Sequence, residues 1–195
     1  YLTLAQAYFA NDEPADAIEQ VRVFLRYEPE NPEAWLLLAQ AQYSSQANRK
    51  TTLESLAKAI DLNPEDPKIY WYRGRLLLEE EDNQAAINDL LQAVRLDGSS
   101  FEYNLDLGRA LFAAERYTDA FRQLNVAERL AEENGQIAAV YYWRARSLES
   151  AENMSQAKLE WKKLIALPIN AIPPGWLKYA REHLLLLETA TPTIT

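Results

Sequence analysis

Small residues recur along this chain at Ala5, Ala39, Gly74, Gly108 and Ala145, in steps of 34, 35, 34 and 37 residues. Twelve residues beyond four of them stands another alanine: Ala17, Ala86, Ala120 and Ala157. The second unit has Thr52 there, one residue late, and so carries a one-residue insertion. A third series follows at Phe24, Ala59, Ala93, Ala127 and Leu164. Turn signals close the first units, at "YEPENP" around Pro29, "LNPEDP" around Pro64 and "LDGSS" around Gly98. Repetition of this period restricts the chain to stacked supersecondary units, each burying a face against the next. A glycine inside a helical pattern costs roughly 1 kcal/mol relative to alanine. Gly108 is therefore expected where two helices cross too closely for a side chain.

Composition selects helices for those units. Of 195 residues, only 5 are Gly and 9 Pro, and 48% are apolar. No apolar run approaches the roughly 18 residues of a membrane span. First helices are expected near 1–10, 32–45, 67–80, 100–114 and 137–150. Second helices are expected near 14–27, 49–62, 83–96, 117–133 and 153–166, the fourth lengthened by the extra residues of "RLAEENGQ". A last helix near 174–189 carries Trp176, Leu177, Tyr179, Ala180, Leu184 and Leu187, a broad apolar face suited to covering the end of an array.

The order of residues resembles the tetratricopeptide repeat family: an aromatic, Leu-Gly or Leu-Ala, a tyrosine, the alanines, then proline. It appears as Tyr1, Leu4, Ala5, Tyr8, Ala17 and Pro29; as Trp35, Leu38 and Ala39; and as Leu107, Gly108, Tyr117 and Ala120. The departures are Asn104 for the aromatic, Arg73 and Arg144 for leucine, and Gln42 and Leu77 for tyrosine. The resemblance implies an all-α, right-handed superhelical α-solenoid. It covers about residues 1–168 as five repeats (about 1–31, 32–66, 67–100, 101–135 and 136–168). Residues 169–189 would be a linker and capping helix, and 190–195 a Thr/Pro-rich tail.

Each first helix carries two stripes. One, such as Trp35, Leu38, Ala39 and Gln42, is core. The adjacent stripe is, in the family, the lining of a concave peptide-binding groove. Here it reads Leu2, Gln6, Phe9; Leu36, Gln40, Tyr43; Trp71, Arg75, Leu78; Leu105, Arg109, Phe112; and Tyr142, Arg146, Glu149. The resulting candidate site is Gln6, Gln40, Tyr43, Trp71, Arg75, Leu105, Arg109, Phe112, Tyr142 and Arg146. Glutamine can bond a peptide backbone as donor and acceptor. Arginine offers a planar fork to carboxylates, and the aromatics supply apolar area. An alternative reading of the arginines is a solvated face, each paired with an acid one turn away.

The implied function is non-enzymatic: an adaptor receiving a protein or peptide of acidic character near the third to fifth repeats. Self-assembly into a homo-oligomer, and service as an accessory domain of a larger enzyme or sensor, are the alternatives. A carboxylate clamp for chaperone tails is not expected, because the matching positions hold Leu2, Gln6, Leu37 and Tyr72, and only Lys68 fits it. The net charge of −9 argues against nucleic acid and anionic membrane surfaces as partners. Without cysteine, thiolate metal sites and disulfides are excluded. "EEED" at Glu79–Asp82 lacks the spacing of a calcium loop and reads as a solvated turn. His183, the only histidine, has no nucleophile beside it. Asn153-Met154-Ser155 reads as a helix cap rather than a glycosylation site. No cofactor is implied. The start at "YLTLAQAY" falls mid-pattern, as in an excerpt of a longer protein. The compartment stays open, the tail hinting at a linker outside the cytoplasm.

Overall fold

The computed structural model describes residues 1–189, so the expected Thr/Pro tail lies outside the described residues. These residues form eleven α-helices and one 3-10 turn. They divide into two compact units, Tyr1–Asp97 and the remainder from Gly98.

The first unit holds three antiparallel pairs: α1 (Leu2–Ala10) with α2 (Pro14–Leu25), α3 (Pro32–Ser44) with α4 (Arg49–Leu62), and α5 (Pro67–Glu79) with α6 (Asn83–Leu96). Asn31 and Asp66 cap α3 and α5 through their side chains, each followed by a proline at the first helical position. Helix α3 packs on α1, α2, α4 and α5, so its apolar residues are mostly buried. The core runs from Val21, Leu25, Leu37 and Leu38 to Leu56, Ile69 and Leu76.

The second unit holds α7 (Phe101–Ala113) with α8 (Tyr117–Leu130), α9 (Asn134–Ser150) with α10 (Met154–Ile165), the 3-10 turn Ile169–Ala171, and α11 (Pro174–Thr189) packed on α10. The extra residues of the fourth hairpin do not lengthen α8, which stops at Leu130. They lengthen α9, which starts at Asn134 and has 17 residues. Ala131 turns into extended backbone, and a capping box of Glu133 and Gln136 opens α9 early.

The small residues sit at helix crossings. A Cβ added to Gly108 would lie 2.7 Å from Leu124 Cδ2, and one added to Gly74 2.7 Å from Leu90 Cγ. Ala5, Ala39 and Ala145 are buried at the same register. Every hairpin also turns through a left-handed residue seven positions after its small residue: Asp12, Gln46, Glu81, Glu115 and Glu152, with φ between 52° and 62°. The residue after each donates its N–H to a carbonyl five back, as from Glu13 to Tyr8 at 2.9 Å and from Arg116 to Leu111 at 2.9 Å. This is a Schellman closure. None of these residues is glycine, so the turn is invisible to a search for Gly or Pro.

Four of the five departures from the repeat pattern are compensated. Trp35 Nε1 donates to Pro29 O (2.7 Å) and Tyr70 Oη to Pro64 O (3.1 Å), six residues back. Asn104 keeps that bond, its Nδ2 donating to Gly98 O at 3.1 Å, and accepts from Gln123 at 2.6 Å. Arg73 grips Asp89 with two bonds of 2.6 and 2.7 Å. That pairing, opposed by burial, raises the guanidinium pKa further. Arg144 bonds Glu128 of α8 and Glu160 of α10. Gln42 accepts from Ser55 Oγ at 2.9 Å.

Candidate functional site

The stripe beside the small residues emerges from each first helix because residues three and four apart share a face. In the first unit it carries a hollow of about 460 Å³ whose lining includes Gln6, Phe9, Leu36, Gln40 and Lys68. Gln6 and Gln40 are brought to one place, although Gln6 Nε2 already donates to Glu33 at 2.7 Å. Arg75 lies over two rings, 4.9 Å from Trp71 and 5.3 Å from Tyr43, both from the candidate set. Tyr43 Oη bonds Glu79, which therefore does more than end a solvated turn. Tyr72 packs edge-on against Tyr43 and Trp71. Burial pushes its phenol pKa up, with Arg75 opposing.

In the second unit Arg146 lies 4.8 Å from the ring of Phe112, 5.6 Å from Trp143 and 5.5 Å from Tyr179. It is half-buried and, among the described residues, has no carboxylate within ion-pair distance. Arg109 lies 5.5 Å from Trp143 but is also paired with Asp106 at 2.6 Å, the acid one turn back. For Arg109 the paired-surface reading therefore holds. Leu105 is half-buried and packs on the cluster of Phe101, Leu124 and Val140. Tyr142 is only 7% exposed and stacks on Trp176 of α11 at 4.5 Å, so it is core beneath α11 rather than an open wall.

Two side chains that shape this cluster were missed in the sequence. Trp143 touches Arg109, Arg146 and Phe112. Its signal was available, since it stands three residues before Arg146. Tyr179 comes from α11, and only tertiary packing brings it there. Burial raises its phenol pKa, and Arg146 beside it opposes the shift. His183 stacks on Tyr179 at 3.8 Å and meets Glu149 at 3.0 Å, which also accepts from Trp161 at 2.8 Å. Among the described residues no group of three or more His, Asp or Glu is placed to hold a metal. No described helix is long and apolar enough to cross a membrane.

The arrangement is a set of helix hairpins presenting guanidinium groups on aromatic shelves. The sequence profile described as tetratricopeptide repeat matches residues 2–49, 53–100 and 73–134. The chain belongs to the tetratricopeptide repeat family. No curated protein matches it in sequence. Solved structures do match. A crystal structure of MamA aligns at TM-score 0.75 and 21% identity over 85% of this chain and 94% of that one. YrrB, described as a TPR protein with an unusual peptide-binding site, aligns at 0.77 and 18% over 93% and 90%. TTC0263, a thermophilic TPR protein of Thermus thermophilus, aligns at 0.67 and 17% over 94% and 97%. At such identities these likenesses speak to the fold, an all-α solenoid of helix pairs. The tetratricopeptide repeat family is one of protein-interaction scaffolds.

Proposed function

We propose that this chain is an adaptor whose first-helix stripe receives a segment of a partner protein, with acidic side chains of that segment meeting arginines on aromatic shelves. The fifth hairpin, α9 and α10, lies beyond the profile match and is read as a fifth repeat, with α11 as its cover. Among the candidate residues, Gln6, Gln40, Tyr43, Trp71, Arg75, Leu105, Arg109, Phe112 and Arg146 are retained, and Trp143 is added. Tyr142 serves as a support beneath them. The observation that carries the reading is Arg146, held over Phe112 and Trp143 without a carboxylate partner among the described residues. Ring contacts fix a guanidinium's position without neutralising it. An incoming carboxylate therefore finds a cation already oriented. The peptide-binding site in the description of YrrB supports the same kind of use for the fold.

The test is selection of binders from a random peptide library at low and high salt. The parent protein is run beside the Arg75→Ala/Arg109→Ala/Arg146→Ala variant. Acidic peptides are expected to be enriched at low salt and lost at high salt or with the variant. Enrichment indifferent to both would overturn the reading.

A further inference from the structure

The first unit carries a second cavity that shares no lining residue with the stripe. It is a cleft of about 740 Å³ between α2 and α4, with Trp35, Leu38 and Gln42 of α3 among its lining. The repeat register explains why it is open. In the second unit Glu128, Arg144 and Glu160 tie α8, α9 and α10 together at the corresponding place. Counting from the small residues, with the one-residue insertion of the second repeat included, those three positions are Leu25, Leu38 and Ser55. The ionic bridge is thus replaced by two leucines and a hydroxyl. Gln42, standing where the family places tyrosine, removes an aromatic ring from the same spot.

The cleft has an apolar floor and a charged rim. Leu38, Gln42 and Ser55 are 3–4% exposed at its base. Arg22 in the last turn of α2 and Arg26, which caps its C-terminus, stand along one edge. Lys58 on α4 lies between Glu54 and Asp61 on the other. Arg22, Arg26 and Lys58 form no ion pair among the described residues. The α2 edge therefore carries two exposed cations in no ion pair, beside a floor that water solvates poorly, with Glu54 and Asp61 on the opposite rim.

We infer that this cleft binds an amphipathic organic anion, its alkyl or aromatic body on Leu25, Trp35 and Leu38 and its carboxylate on Arg22 and Arg26. The volume falls within the range of about 300–1,000 Å³ usual for sites that enclose a small organic ligand. Paired arginines a turn apart suit a carboxylate, which accepts two parallel N–H bonds. The inference does not rest on the peptide-adaptor reading, because the two surfaces share no residue.

The probe is 1-anilinonaphthalene-8-sulfonate, whose emission rises on entering an apolar site. It is titrated into the whole chain and then displaced with decanoate or with decan-1-ol. One saturable site is expected, with decanoate displacing at a concentration at least fivefold lower than the alcohol. Arg22→Glu/Arg26→Glu, changed at the rim, is expected to weaken probe binding at least tenfold. Gln42→Tyr, which restores the family residue and fills the base, is expected to abolish it. Arg129→Glu, at an exposed position of α8 in the second unit, should leave it unchanged. Retained affinity in Gln42→Tyr, less than a twofold effect of the charge reversal, or equal displacement by acid and alcohol each overturns the inference. If Gln42→Tyr lowers the unfolding temperature, the charge reversal decides alone.

Discussion

Arg144 occupies a leucine position of the repeat and is 7% exposed. Its charge is tolerated because Glu128 and Glu160 reach it from two neighbouring helices, with Lys163 at 2.8 Å from Glu160. Removing one member of a buried ion pair strands the other, whereas replacing both with apolar residues is often neutral. Arg144→Leu therefore restores the family residue yet is expected to cost about 3 kcal/mol in denaturant unfolding. Arg144→Leu combined with Glu160→Leu is expected to regain most of that loss. Equal destabilisation of the single and double variants would count against the bridge. At this scale the sequence identified the odd residues, Asn104, Arg73, Arg144 and Gln42, but not their partners. Asp89, Gln123, Ser55 and Glu160 are ordinary second-helix residues until packing brings them opposite.

Two features of the hairpins decide their stability. Gly108 exists for close approach: even a methyl group there meets Leu124. Gly108→Leu is expected to overpack the crossing and cost roughly 1–3 kcal/mol in thermal or chemical unfolding. Glu115 sits at φ 60°, a conformation costing a residue with a Cβ roughly 1–2 kcal/mol. Glycine removes that cost but gives up roughly 0.4–1 kcal/mol through greater freedom of the unfolded chain. Glu115→Gly is thus expected to stabilise by about 0.5 kcal/mol, read as a higher denaturation midpoint. Helix type and order were legible because periodicity and turn residues agree. The α8–α9 boundary was not, because Glu133 and Gln136 form a cap through side chains that look like ordinary surface residues. Helix α11 shows how the repeat register and the packing part company. Ala180 follows Ala145 by 35 residues, and "WLKYA" repeats the order of "WLLLA" at Trp35–Ala39. In α9, Trp143 and Arg146 reach back to Phe112 of α7. In α11 a different stripe, Trp176, Tyr179 and His183, reaches back to Tyr142, Arg146 and Glu149 of α9. The helix thus begins like the first helix of a further repeat but turns its aromatic core stripe onto α9.

At the scale of the whole molecule, charge sets the terms of binding. A chain of net charge −9 repels acidic segments except close to its arginines, since exposed charges are screened beyond about 8–10 Å at physiological salt. Trp176 extends this account to stability, because it covers Tyr142 and thereby supports Arg146. Trp176→Ala is expected to cost about 2 kcal/mol, less than a fully buried tryptophan, and to weaken peptide binding in parallel. The stripe itself was legible from spacing alone. That Arg109 is paired follows from its spacing to Asp106 one turn back, the alternative the sequence itself offered. That Tyr142 is covered and Tyr179 recruited from α11 depends on contacts between distant residues, which no local pattern encodes. The most direct measurement is a double-mutant cycle by titration calorimetry. A selected acidic peptide and its Glu→Gln counterpart are each titrated into the parent protein and Arg146→Ala. A coupling of roughly 1.5–3 kcal/mol, as for a hydrogen bond to a charged group, is the predicted result. Additive losses, with no coupling between the peptide carboxylate and Arg146, would contradict the account.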